Sequence, residues 1–309
     1  MDINFITRRI QRLINTIFFC FVFYFLSLQQ TTPYAHLIGD VKQGEYVFTV
    51  AGCQSCHTEK PASTGAGGVE IRTPFGSFYT PNITPHPIFG IGLWSRDQFA
   101  DALRYGKNSR VGSFFPSFPY TSYTKMSDQD IISLYTYIMT LPKIAQENKS
   151  HELDFPFSWR FASNFWRLLF FQPGTYQYNQ NSDETWNRGA YLVQAIGHCA
   201  ECHSPRNFLG KIVNDMTLAG NPKDYDGAVV PNVTPDSETG IGLWKEGDIV
   251  ALLKFGTLPN GDVVGGKMME FVMNASSKLS DKDLQAIALY LKSLPPVYNP
   301  EAIATKPEF

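Results

Sequence analysis

Apolar residues recur at helical spacing in six stretches of this chain, and the six fall into two sets of three in the same order. Asp40 to Ala51 and Glu184 to Gly197 are short amphipathic segments, each running into a cysteine pair. Ser95 to Tyr105 and Lys245 to Phe255 predict a middle helix in each set, closed by Gly106 and Gly256, residues suited to the left-handed turn that ends a helix. The last helix of each set starts at Ser127 or Ser280, with Asp130 or Asp283 three residues on as an acidic form of the capping box. Ile131, Leu134, Tyr135 and Ile138 then share one face, as do Leu284, Ile287, Ala288 and Leu291; Pro142 and Pro295 stop the run. No stretch of strict alternation marks a strand, which predicts small all-α units with long Gly- and Pro-rich loops.

Aligning the two sets exposes a duplication. YTPNITPHPIFGIGLWSRDQFADALRYG (79–106) matches VVPNVTPDSETGIGLWKEGDIVALLKFG (229–256) at an offset of 150, pairing Asn82 with Asn232 and Trp94 with Trp244. KMSDQDIISLYTYIMTLP (125–142) matches KLSDKDLQAIALYLKSLP (278–295) at 153, and CQSCH (53–57) matches CAECH (199–203) at 146. The order of blocks is the same in both copies, so one domain is present twice: residues 36–145 and 183–298, with a tail at 299–309. Residues 146–182 lack the repeat and form a linker, in which FPFSWRFASNFWRLLFF (155–171) is strongly aromatic. That segment reads as a helix packed between the domains; the alternative is an amphipathic surface that lies on a membrane or docks a larger subunit.

Ahead of the first copy, Arg8, Arg9 and Arg12 precede an apolar run from Leu13 to Leu28. A basic region followed by a short apolar core reads as an export signal over residues 1–35. Retention as an uncleaved anchor is the alternative, although the run falls short of the roughly 20 residues of a spanning helix. Arg8-Arg9 fits a twin-arginine signal poorly because Ile10-Gln11-Arg12 follows, and Cys20 lacks the small preceding residue of a lipidation site. Export places the rest of the chain on the periplasmic side of a bacterial inner membrane, anchored or peripheral.

Composition narrows the partners. Of 309 residues 43% are apolar, which excludes a wholly disordered chain. Net charge is −2, and without the leader 23 basic residues face 27 acidic ones, so there is no basic field for nucleic acid. Aromatics at 14%, with 24 Phe and 15 Tyr, suggest a flat apolar ligand, a membrane, or both.

Four of the five cysteines lie in the repeated motifs, Cys53 and Cys56 before His57, Cys199 and Cys202 before His203. In an exported protein Cys-x-x-Cys-His reads as c-type haem attachment. Two thiols one helical turn apart each add to a haem vinyl group, and the adjoining histidine supplies an axial nitrogen to iron. Two motifs therefore predict two covalently bound haem c groups. A zinc site needs four converging ligands, whereas 142 residues separate Cys56 from Cys199. A thioredoxin-like dithiol needs a βαβ pattern, which is missing. Disulfides within the motifs leave the histidines and the duplication without a purpose.

The sixth ligand decides electron transfer against catalysis, and methionine raises the potential relative to a second histidine. In the first copy Met126 precedes the last helix, while Met139 lies within it and reads as core. In the second copy Leu279 stands where Met126 does, and Met268, Met269 and Met273 occupy the loop before it. Of the other histidines, His86 aligns with Asp236 in a polar turn, His151 falls in the linker, His36 beside the signal, and His198 directly before Cys199 suits a helix end rather than iron.

TPNITP, GIGLW, FPYTSYTKMSD, WNRGAYLVQAIGHCAECHSPRN and LSDKDLQAIALYLKSLPP together resemble the multihaem cytochrome c subunits of bacterial membrane-bound alcohol, gluconate and related sugar dehydrogenases, over about residues 38–298. The resemblance implies two tandem class I cytochrome c-like domains joined by the aromatic linker. It supports Met126 as the sixth ligand of the first domain and, through GKMMEFV, selects Met268 over Met269 in the second. It implies an anchored periplasmic carrier passing electrons from a dehydrogenase subunit toward quinone or a terminal oxidase. One departure is plain: those subunits have three haem domains, and this sequence has two motifs. The competing class is a haem enzyme or sensor, peroxidase-like or thiosulfate-oxidising, with an open or exchangeable sixth position; no catalytic side chain stands out for it.

Overall fold

The computed structural model describes Tyr34, His36 and residues 37–303, apart from Ala62, Tyr225 and Asp226. The expected export segment, with Arg8, Arg9, Arg12 and Cys20, lies outside the described residues. The chain divides at Leu37 into a short leading unit, where the Leu37 amide donates to the Tyr34 carbonyl, and one body over 38–309. Among the described residues no helix is long and apolar enough to cross a membrane.

The body is mostly helical. In the first repeat α1 is Val41–Val50, α2 Cys53–His57, α3 Arg96–Tyr105, α4 Tyr120–Tyr123 and α5 Asp128–Ile138. After the linker helix α6, Arg160–Phe170, the second repeat follows with α7 Glu184–Tyr191, α8 Glu246–Phe255, α9 Gly266–Asn274 and α10 Asp281–Lys292. Asp40, Ser95, Asp183 and Ser280 cap their helices by accepting an amide bond from the first turn. Gly106 (φ +59°) and Gly256 (φ +74°) close α3 and α8 in the left-handed conformation expected of them.

In each repeat the first helix packs across the last. α1 packs against α5, and Val47, Phe48 and Val50 of the first and Ile131, Ile132 and Leu134 of the second are all buried. Ala190 and the residues after α7 meet Leu284, Ala286 and Ala288 of α10. Close approach is possible because a glycine sits at each crossing: a Cβ at Gly44 would overlap the Ser133 carbonyl, and one at Gly189 would overlap the Ala286 carbonyl.

Three local expectations are corrected. Strands are present, short and confined to the loops: β1 Glu70–Thr73, β2 Gly76–Tyr79, β3 Lys107–Asn108, β4 Gly112–Ser113 and β5 Glu152–Leu153. The first, second and fifth form an antiparallel sheet with β2 in the middle, so the linker begins by adding a strand to the first repeat. Strands of two to four residues are too short to show alternation. Second, the segment carrying Met268, Met269 and Met273 is helix α9, not a loop. Third, α5 ends at Ile138, ahead of Pro142, with Met139 as its C-cap.

The capping boxes also close differently. Ser127 and Ser280 accept from the amides of Asp130 and Asp283, but neither carboxylate returns to its own cap. Instead Tyr191, from the second repeat, donates to Asp130 at 2.5 Å and accepts from the Ser127 amide at 2.9 Å. Tyr46, from the first repeat, does the same for Asp283 and the Ser280 amide. Arg188 adds two bonds of 2.8 Å to Asp283. Burial alone would raise the Asp283 carboxyl, but the bonds from Arg188 and Tyr46 outweigh it and hold it below the usual carboxylate range.

Helix α6 joins the repeats on one face: Trp166 donates to the Leu209 carbonyl at 2.8 Å and its ring stands edge-on to Tyr120. On its other face Phe161, Phe165, Leu168 and Leu169 are exposed. The helix therefore has one packed face and one exposed apolar face.

Two outcomes follow. Gly44→Ala and Gly189→Ala each lower stability by about 1–3 kcal/mol through overpacking, read from the denaturant midpoint. A carboxyl whose folded pKa is depressed contributes stability above its unfolded pKa of about 3.9, lost as pH falls through the folded value. Acid unfolding monitored by circular dichroism is therefore shallower below about pH 4 in Asp283→Asn than in the parent protein.

Candidate functional site

Both cysteine motifs sit on a single turn directly after the first helix of their repeat. In the first, Gly52 at φ +62° breaks α1 from α2 and the Cys56 amide bonds back to the Gly52 carbonyl. In the second, Cys199–Glu201 forms a tight turn and the His203 amide bonds to the Cys199 carbonyl at 3.0 Å. All four thiols are unbridged. Desolvation pushes the half-buried Cys53 and Cys199 thiols up to about 12, while Cys56 and Cys202 are exposed residues.

The histidines are oriented identically. His57 Nδ1 donates to the Pro81 carbonyl at 2.7 Å, and His203 Nδ1 donates to the Pro231 carbonyl at 2.8 Å. A carbonyl acceptor at Nδ1 fixes the tautomer in which Nε2 carries the lone pair, the state a metal-ligating histidine requires. Burial lowers both imidazoles, against the raising effect of the carbonyl bonds, and so keeps the rings neutral.

The proline carbonyls are held in turn by the Pro-Asn-x-Thr-Pro loops. Asn82 accepts from the Thr84 amide at 2.9 Å and hydroxyl at 2.7 Å, and donates to the carbonyls of Ile144 and Gln146. Asn232 accepts from the Thr234 amide and hydroxyl, both at 2.8 Å, and donates to the Val297 carbonyl and the Thr239 hydroxyl. Asn82 and Asn232 are 1% and 2% exposed, so these bonds are what satisfy them. Each loop thereby ties to the chain that leaves its last helix.

The methionines differ between repeats. Met126 is wholly buried, between α4 and α5. Its loop is anchored by Arg104 of α3, which donates to the Thr124 carbonyl and pairs with Asp128 at 2.6 Å. Lys254 and Asp281 make the equivalent pair at 2.9 Å. Met268 lies half-buried in the first turn of α9, while Met269 packs against Gly256 and Met273 is exposed.

Beside the second motif lies a cavity of about 570 Å³, lined by Ala200 and Glu201, by Leu218, Thr234 and Val297, and from the first repeat by Thr121. Two free thiols a turn apart, a neutral imidazole with its Nδ1 committed, and a methionine near the next helix fit a covalently attached haem in each repeat. Cys53, Cys56, His57 and Met126 would hold one, and Cys199, Cys202, His203 and Met268 the other.

Other histidines have structural work. His86 accepts from the amides of Ile88 and Phe89, as Asp236 does from Glu238 and Thr239 in the second repeat. His151 accepts from the Tyr79 amide and packs edge-on to Phe78 and Phe115. Trp94 and Trp244 are half-buried.

Sequence reasoning missed three groups: Tyr46 and Tyr191, Glu201, and His198. Glu201 accepts from the hydroxyls of Thr121 (2.8 Å) and Ser122 (3.0 Å) and pairs with Arg206 at 2.6 Å. His198 reaches the Ala51 carbonyl of the first repeat at 3.2 Å. A signal for His198 was present: Gly44 and Tyr46 match Gly189 and Tyr191 at an offset of 145, one less than the cysteines, so His198 is an inserted residue.

A model of the cytochrome c family matches residues 41–142. A diheme cytochrome c-type protein of Cereibacter sphaeroides is 39% identical over 269 residues, covering 85% of this chain and 89% of that protein. The cytochrome c subunit of alcohol dehydrogenase (quinone) from Gluconobacter oxydans is 38% identical over 264 residues, and the fructose dehydrogenase cytochrome subunit of Gluconobacter japonicus 36% over 269. Each of those matches covers 55% of the subunit's own length, so this chain spans about half of them.

Removing the loop's buried anchor tests the local architecture. Asn232→Ala leaves the Thr234 amide without its acceptor and removes one donor from the Val297 carbonyl, and costs about 1–3 kcal/mol in denaturant unfolding. The His203 Nδ1 proton, followed by NMR, then exchanges with solvent faster than in the parent protein.

Proposed function

The chain belongs to the cytochrome c family, and from that premise we propose that it is an exported dihaem electron carrier built of two tandem domains of that family. The observation that carries the reading is the pair of identical bonds from His57 Nδ1 to Pro81 and from His203 Nδ1 to Pro231, which present Nε2 of each motif histidine for iron. Bound haem c supplies reversible one-electron chemistry between ferric and ferrous iron.

The residues of the chain do the rest. Cys53 and Cys56, and Cys199 and Cys202, each hold one macrocycle through two thioethers. Met126 and Met268 would supply the remaining ligands and so deny the iron to peroxide or small gases, which favours a carrier over an enzyme or sensor. The buried Asn82 and Asn232 hold the loops whose proline carbonyls orient His57 and His203.

The partner reading is supported by relatives that are cytochrome subunits of dehydrogenases, although the match covers 55% of those subunits and 89% of a diheme cytochrome. We assign the donor role to a membrane-associated dehydrogenase and the acceptor role to quinone or a terminal oxidase. The basic, apolar leader supports a carrier on the periplasmic face of the inner membrane, attached or peripheral. A mildly acidic surface favours brief, salt-sensitive contacts with basic patches on those partners.

Haem counting and spectra test this. The full-length protein carries two covalent haems by pyridine haemochrome assay, and the double variants Cys53→Ser/Cys56→Ser and Cys199→Ser/Cys202→Ser carry one each. Met126→Ala and Met268→Ala each remove part of the far-red methionine-to-iron absorption and turn one ferric haem from low to high spin. High-spin ferric haem in the parent protein would sink the carrier reading in favour of a catalytic one.

A further inference from the structure

The two repeats part company at one residue beside the second motif. Gly52 leads directly into Cys53, but Gly197 is followed by His198 before Cys199. The extra residue is taken up by a widened turn: Leu192–Ile196 is π-helical, with the Gly197 amide bonding to the Leu192 carbonyl at 2.7 Å. His198 itself stands at φ +39°, a left-handed conformation that costs a non-glycine residue free energy. A π-bulge followed by a strained histidine is kept only where its side chain has a purpose.

What the side chain reaches is the other repeat. His198 Nε2–H donates to the Ala51 carbonyl at 3.2 Å, and Ala51 is joined through Gly52 to Cys53. The same carbonyl accepts from Tyr123 Oη at 3.1 Å, and the Tyr123 ring stands edge-on to the imidazole, 5.5 Å between centroids. His198 adjoins Cys199 in the chain. The route from the Cys53 sulfur to the Cys199 sulfur thus consists of covalent bonds interrupted by a single hydrogen bond.

We propose that His198 is the bridging residue through which electrons pass between the two haem sites. The inference deepens the dihaem carrier reading and rests on it. Electronic coupling falls far less across bonds and a hydrogen bond than across empty space or loose van der Waals contact, so a histidine clamped between the two motifs makes a preferred path. In the transfer one electron leaves ferrous iron on one side and reaches ferric iron on the other. No bond is broken, and His198 keeps its Nε2 proton throughout. It acts as the bridge between the motifs and is assigned no role as an iron ligand.

The test uses the intact two-haem protein. A light-triggered donor injects one electron per molecule, and the equilibration between haems is followed by their absorbance after the potentials of both have been measured. His198→Ala slows that equilibration several-fold while haem content and both potentials stay as in the parent. His198→Gln, whose side-chain amide donates over a similar reach, restores the rate. Tyr123→Phe removes the other bond to the Ala51 carbonyl but lies off the path to Cys199, and keeps the parent rate. An unchanged rate in His198→Ala with both haems in place overturns the inference alone, as does equal slowing in Tyr123→Phe, which would mean that fixing the carbonyl is what matters. Fewer than two haems in the parent overturns the carrier reading itself and the bridge with it.

Discussion

A motif histidine can serve iron only if its second nitrogen is held, and the fold is organised around that one bond. His57 and His203 each give Nδ1–H to a proline carbonyl, a group that has no amide proton of its own to misplace. The carbonyl stays put because an asparagine one residue on is buried and fully bonded. That asparagine's partners belong to the segment leaving the last helix, at Ile144 and Gln146 or at Val297. The last helix is located by its crossing with the first, where a glycine allows backbone contact, and the first helix delivers the cysteines. The sequence of dependencies closes on itself within each repeat, which is why a unit of about a hundred residues can build this site with a small core.

The repeats are joined by exchange rather than by an apolar slab. Each contributes a tyrosine from its first helix, Tyr46 or Tyr191, that takes over the N-terminal cap of the other repeat's last helix. Each also lays the segment that precedes or carries its methionine against the other's motif region: α4 against the π-turn before Cys199, and α9 against α2. A two-fold pattern of this kind sets the register of the halves through directional bonds, and a slip of one residue would break several at once.

Much of this was legible in the chain. The six helices, their serine and aspartate caps, their glycine stops and the duplicated motif all follow from spacing and residue type, because they are local. Pro-Asn-x-Thr-Pro was visible as a repeated turn, but its true product, a positioned carbonyl, needs the chain 60 residues later. The strands escaped notice because two to four residues cannot show a period. Asp130 and Asp283 read as halves of capping boxes, and only the folded chain reveals that a tyrosine from the other copy claims them. His198 looked like a helix-end residue; the shift of offset from 145 to 146 was in view, but its meaning depends on where Ala51 lies.

Glu201 shows why the junction is polar. Ser55 holds its place in the first motif, so the second copy alone sets a carboxylate between its cysteines. Burial alone would raise that carboxyl, but Arg206 outweighs it and holds it below the usual range. Paired at 2.6 Å, the two charges nearly cancel, so the pair exerts little net field on the cofactor site beside it. Nor does the pair contribute much stability, since desolvating two ions offsets most of their attraction. What remains is direction: a carboxylate fixed by Arg206 accepts from Thr121 and Ser122, the residues of α4 that lead to Met126. An apolar residue at 201 would bury surface equally well and leave α4 free to slide. A charged clamp of this kind adds little stability but permits one alignment of α4 against the second motif.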